Sequence, residues 1–149
     1  MPFMQEPIAL QGSCHCGRAR IVFSTNQPLA EMSPRACDCS FCQKHGAAYV
    51  SDPAGQLRIS ATDLSNVRSY RQGSEAARFR LCSECGVLVA VTFEQSGRIF
   101  GAVNVACLDE HAGFGVPVAA SPQSLTSEAK ITRWLQVWVP DVELVTSGA

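Results

Sequence analysis

With 149 residues, 46% of them apolar and 17% charged, the chain has the length of one ordinary domain and enough apolar side chains to bury a core without disulfide staples, which excludes disorder and collagen-like repetition. Its formal net charge of −1, with Lys and Arg spread along the chain, excludes the basic stripe of a nucleic-acid binder. No run approaches the roughly 18 apolar residues of a membrane span, and residues 1–10 lack a basic region followed by an apolar stretch, so a cytoplasmic protein without membrane or nucleic-acid partners is expected.

In chain order, residues 18–23 come first as a predicted strand, because Ala19, Ile21 and Phe23 alternate as one buried face should. Similar short β-type runs follow at 47–51, 57–60, 66–71, 77–81, 87–93 and 98–106, separated by Gly, Pro, Asp or Ser. Helical pattern is scarce. Ser40 is placed to cap a short turn through Cys42 and Lys44 that stops near Gly46, and 127–135 forms a second short helical pattern. The Gly-, Pro-, Ala- and Ser-rich stretch 113–127 predicts a loop along a sheet edge. A last strand is predicted at 135–139, with Trp134 and Trp138 packing in the core or at its rim. No repeat or linker divides the sequence, so one mainly β domain over 1–149 is expected.

Eight cysteines in a chain without an export signal point to metal binding or catalysis before disulfides. Seven fall in three clusters: G-S-C-H-C-G with Cys14 and Cys16, C-D-C-S-F-C with Cys37, Cys39 and Cys42, and L-C-S-E-C-G with Cys82 and Cys85. Thiolates two or three positions apart on a tight turn converge on one ion about 2.3 Å from each sulfur, and Gly17 and Gly86 supply the backbone freedom such turns need. Clusters of two, three and two divide most economically by joining the pairs. Cys14, Cys16, Cys82 and Cys85 then form a closed structural zinc site. Cys37, Cys39 and Cys42 are left as a three-ligand zinc site with an open position. The count favours this division without proving it.

A closed site between such distant clusters contributes on the order of 10 kcal/mol to folding. An open three-thiolate site suits an incoming thiol, held deprotonated near neutral pH. Disulfides or accidental spacing compete for the pairs, and a buried or redox-active cluster competes for the triple. Cys107 is expected in the core. Exposed positions are expected for His15 and His45, although His45, three residues after Cys42, is also placed to serve as an acid; His111 has no evident partner. Lys44, Arg71 and Arg78 are candidates for meeting substrate carboxylates, against the ordinary reading of solvated surface cations.

The order C-x-C-G, C-x-C-S-x-C, C-x-x-C-G, over roughly residues 11–109, resembles the glutathione-dependent formaldehyde-activating enzyme family, which also includes centromere protein V. The resemblance implies a β-tent of packed antiparallel sheets, structural zinc at Cys14, Cys16, Cys82 and Cys85, and catalytic zinc at Cys37, Cys39 and Cys42. It also implies a carbon-sulfur lyase activity on S-hydroxymethylglutathione, the adduct of glutathione and formaldehyde. Many members carry a Pro and a His-Ile pair before a late Trp, whereas here G-V-P-V-A-A-S-P leads to Trp134 with no His between, which leaves the metal sites intact and the substrate open. Two other functions suit the same residues: a non-catalytic zinc-stabilised binding module, and a thiol-based redox or metal sensor built on Cys37, Cys39 and Cys42.

Overall fold

A computed structural model describes residues 7–71, 76–121 and 125–146. Among the described residues the chain forms two sheets with two α-helices. Strands β1 (Ile8–Ser13), β2 (Arg20–Thr25), β5 (Gln56–Ala61) and β11 (Glu143–Thr146) make the smaller sheet, in the order β1-β2-β5-β11. The larger sheet has the order β10-β3-β4-β9-β8-β7-β6 and is built from β3 (Arg35–Cys37), β4 (Ala48–Val50), β6 (Val67–Tyr70), β7 (Arg78–Cys82), β8 (Leu88–Gln95), β9 (Arg98–Asn104) and β10 (Val118–Ala120). Pairing is antiparallel except where β10 joins β3 and β11 joins β5.

The larger sheet is apolar on both faces, and this decides where everything else goes. One face packs on the smaller sheet through Val50, Val89 and Val103 against Ile21, Phe23, Leu57 and Ile59. The other face presents Tyr49, Phe79, Val91, Phe93 and Phe100 to helices α1 (Ser40–His45) and α2 (Ser127–Val137). Strict alternation would hold each residue of β8 to one face. The register with β7 instead passes from Arg80↔Ala90 to Leu81↔Leu88, an extra-residue bulge at Val89. Val89 and Ala90 therefore both face the smaller sheet, while Leu88 and Val91 face the helices.

The seven strand expectations lie on β2, β4, β5, β6, β7, β8 and β9. Three corrections follow from tertiary pairing. The strand predicted at 135–139 does not form: Thr126 caps α2 by accepting from the Ala129 amide, and the helix runs through Val137. Beyond it, Val139 makes only an isolated bridge with Gly101, and the last strand is β11. Within the expected loop 113–127, Val118–Ala120 becomes an edge strand because β3 offers it a parallel partner; residues 122–124 lie outside the described residues. Strands β1, β3 and β11 had no expectation. Around α1 the capping residue is Cys39, one position earlier than expected, and Gly46 closes the helix at φ 61°.

Gly12 sits where β1 passes the backbone after β9, bridging to Leu108, with the Asp109 amide donating to the Gln11 carbonyl at 2.8 Å. A Cβ on Gly12 would collide with the Cys107 carbonyl oxygen. Backbone against backbone leaves no side chain to yield, so Gly12→Ala is expected to destabilise the fold by roughly 1–3 kcal/mol. A thermal melt by circular dichroism checks this; an unchanged midpoint would show that the two segments separate freely.

Candidate functional site

No disulfide joins any of the eight cysteines. The four sulfurs of Cys14, Cys16, Cys82 and Cys85 lie within 4.8 Å of one another, as do those of Cys37, Cys39 and Cys42. These are the memberships that cluster counting favoured.

The four-thiol group is made by two similar turns. After β1, Cys14 donates its amide to Ala19 while Gly17, at φ 85°, turns the chain into β2; after β7, Cys82 donates to Val87 while Gly86, at φ 79°, turns the chain into β8. Amides of Ala19 and Glu84 donate to Sγ of Cys14 and Cys82 at 3.3 and 3.4 Å. Cys14 and Cys82 are buried at the end of the core between the sheets, so the group ties the β1–β2 hairpin of one sheet to the β7–β8 hairpin of the other. Sulfur separations of 3.6 Å (Cys14 to Cys16) and 3.5 Å (Cys16 to Cys82) approach the roughly 3.8 Å edge of a tetrahedron with 2.3 Å metal–sulfur bonds. Burial pushes the Cys14 thiol up to about 12. The Arg18 backbone and then its side chain hold Cys16 down to about 6.

The three-thiol group lies on the helix-covered face of the larger sheet. Cys37 ends β3, Cys39 caps α1 by accepting from the Cys42 amide at 3.4 Å, and Cys42, on the first turn, is 1% exposed. Cys42 Sγ is 3.1 Å from Tyr49 Oη. A hydrogen bond from Cys42, above all, brings the Cys37 thiol down to about 6; the same bond, then burial, pushes Cys42 up. Burial raises Cys39 as well. Three adjacent thiols thus share few negative charges unless a cation replaces their protons. Asp38 Oδ1, between Cys37 and Cys39 in sequence, is buried without a hydrogen-bond partner among the described residues. The donor set fits a thiophilic divalent ion such as zinc.

These three cysteines line a cavity of about 770 Å³, within the range of small-molecule sites. Tyr49, Phe79 and Val91 line it from the sheet, β10 lines one side, and α2 contributes Lys130, Arg133, Trp134 and Val137, the i, i+3, i+4, i+7 face of a helix. Trp134 and Trp138 stack at 4.7 Å between ring centroids, and both line the cavity. Arg35, two residues before Cys37 on β3, completes the lining together with Ser40 and Leu125. Burial, then the neighbouring charge of Arg133, lowers the Arg35 guanidinium.

None of the cations singled out from sequence, Lys44, Arg71 and Arg78, lines the cavity; Arg35, Lys130 and Arg133 do. Period-two reading of β3 and helical reading of α2 were the available signals. His45 is exposed and packs on the Phe41 ring at 4.7 Å, away from the cavity lining, and His15 and His111 are exposed. Cys107 is buried and donates to the Leu88 carbonyl at 3.2 Å, its thiol pushed up to about 11 by burial.

The family model of the glutathione-dependent formaldehyde-activating enzyme matches residues 9–124, a span that contains all seven clustered cysteines. The chain belongs to this family. No curated protein matches it. Among solved structures, the crystal structure of a Rhodobacter sphaeroides protein is similar, at 27% identity and a TM-score of 0.53, covering 74% of this chain and 99% of that one. Helix α2, with Lys130, Arg133 and Trp134, lies beyond the family match.

Reduced protein titrated with Co²⁺ is expected to develop thiolate-to-cobalt charge-transfer absorption with two equivalents bound, one per thiol group. Cys82→Ser should bind one equivalent at most, and Cys39→Ser one tightly. Saturation of the unsubstituted protein at a single equivalent would remove one of the two groups as a metal site.

Proposed function

We propose that this protein is a zinc-dependent carbon–sulfur lyase-type enzyme acting on a thiol adduct, of which S-hydroxymethylglutathione is the instance named by its family. The observation that carries the reading is the contrast between the two thiol groups. Four thiols sit at the end of the packed core, whereas three form part of the wall of a ligand-sized cavity. In this reading Cys14, Cys16, Cys82 and Cys85 hold structural zinc, and Cys37, Cys39 and Cys42 hold catalytic zinc. Zinc held by Cys37, Cys39 and Cys42 would supply a position at which a thiol could ionise near neutral pH.

The reaction is an addition in one direction and an elimination in the other. In addition, the substrate sulfur forms a bond to the aldehyde carbon, the carbonyl π pair moves to oxygen, and that oxygen takes up the equivalent of the proton the thiol gave up. No oxidant or reductant is needed. The chain's own residues do the positioning: Tyr49 Oη holds Cys42 Sγ, the Cys42 amide holds Cys39 Sγ, and Trp134, Trp138 and Phe79 keep the reacting end in an apolar wall that limits competing water. A reducing, cytoplasmic setting suits a protein that depends on seven thiols remaining thiolates.

Cys39→Ser is expected to stay folded, lose one zinc per chain and lower adduct formation from glutathione and formaldehyde at least 100-fold, followed by NMR of the hydroxymethyl group. Cys82→Ser should lose cooperative folding. A zinc-loaded protein that binds both ions yet leaves the adduct equilibrating at the uncatalysed rate would favour a non-catalytic binding module. Reversible disulfide formation among Cys37, Cys39 and Cys42 with no zinc ever bound there would favour the sensor.

A further inference from the structure

Among the described residues three cations line the cavity and no carboxylate does. Among the described residues the side-chain ion pairs are Arg58–Glu143 and Arg98–Asp141, so Arg35, Lys130 and Arg133 have no acidic partner there. For Lys130 and Arg133, on the helix surface, water is an adequate partner. Arg35 is half-buried, and a guanidinium withdrawn from water without a counter-charge is costly unless something anionic meets it.

Its position is also fixed. Arg35 Nη2 donates to Ser51 Oγ at 2.6 Å, and Ser51 Oγ donates to the Val137 carbonyl at 2.6 Å, at the end of α2. This relay ties the guanidinium of β3 to the helix that carries Arg133 and leaves its other N–H groups for a ligand. Arg133 lines the same cavity. Two like charges lining one cavity beside an apolar, tryptophan-lined wall are the arrangement that a bound carboxylate relieves. Arg35 and Cys37 are two positions apart on one strand, about 6.6 Å along it. One ligand can therefore reach the thiol cluster and the arginines together.

We propose that Arg35 and Arg133 form a carboxylate receptor at the α2 wall of the cavity, with Lys130 adding to its field, so that the thiol taken by this site is an acidic one. The inference deepens the reading of the three-thiol group as a thiol site and rests on it. Of the two arginines, Arg35 lies within the residues matched by the family model and Arg133, on α2, lies outside them.

The test is binding to the zinc-loaded protein, read by quenching of the two tryptophans of the chain, both of which line the cavity. Glutathione is compared with its diethyl ester, which keeps the sulfur and loses both carboxylates. Glutathione should bind at least about tenfold more tightly, the scale of one charged hydrogen bond. Arg133→Gln, on an exposed helix position, and Arg35→Gln should each bring the two ligands to within a few-fold. Lys44→Gln, which removes an exposed cation away from the cavity, should leave the preference intact. Equal binding of acid and ester, or a preference that survives in Arg133→Gln, overturns the receptor. S-methylglutathione separates the two ideas: if it binds as tightly as glutathione and with the same dependence on Arg133, the receptor stands and the thiol reading falls.

Discussion

Everything in this structure depends on four sulfurs brought within 4.8 Å of one another at the end of the inter-sheet core. They come from two turns separated by more than sixty residues, one in each sheet. As thiols they hydrogen-bond and divide few charges among themselves, with Cys14 pushed up and Cys16 held down. As thiolates around a divalent ion they would become a cross-link whose free energy is folding free energy. A joint at this place fixes how the smaller sheet lies on the larger one.

The larger sheet then has a second apolar face with no sheet to cover it. Two short helices and an edge strand cover it incompletely, and the gap is the cavity. The bulge in β8 matters here, because it puts Leu88 and Val91 on the helix side while Val89 and Ala90 fill the core. A regular strand would have sent one residue of each pair to the wrong face. The cavity follows from having more apolar sheet surface than covering elements.

Chemically the cavity is polarised. Thiols that can become anionic lie on the α1 and β3 wall; Lys130 and Arg133 lie on α2, and Arg35, on β3, is tied to the end of α2 through Ser51. Between them are rings of Tyr49, Phe79, Trp134 and Trp138, which provide contact area without competing charge. A ligand with a soft nucleophile at one end and acid groups at the other matches both ends, and among the described residues the lining offers no acidic residue to oppose it.

The sequence by itself determined the β-rich class, most strands and the three cysteine clusters, because these are local: period-two alternation and short C-x-C or C-x-x-C spacings depend on a few neighbouring residues. It also marked Cys107 as core and the ends of α1 to within a residue. Tertiary structure alone decided that Val118–Ala120 is a strand, since a three-residue edge segment exists only where β3 presents open hydrogen-bonding groups. It likewise turned the predicted last strand into helix. Above all it chose Arg35, Lys130 and Arg133 over Lys44, Arg71 and Arg78 as the cations of the site. A charged side chain has no local signature of what it faces, and only the docking of α2 against the sheet placed these three around one space.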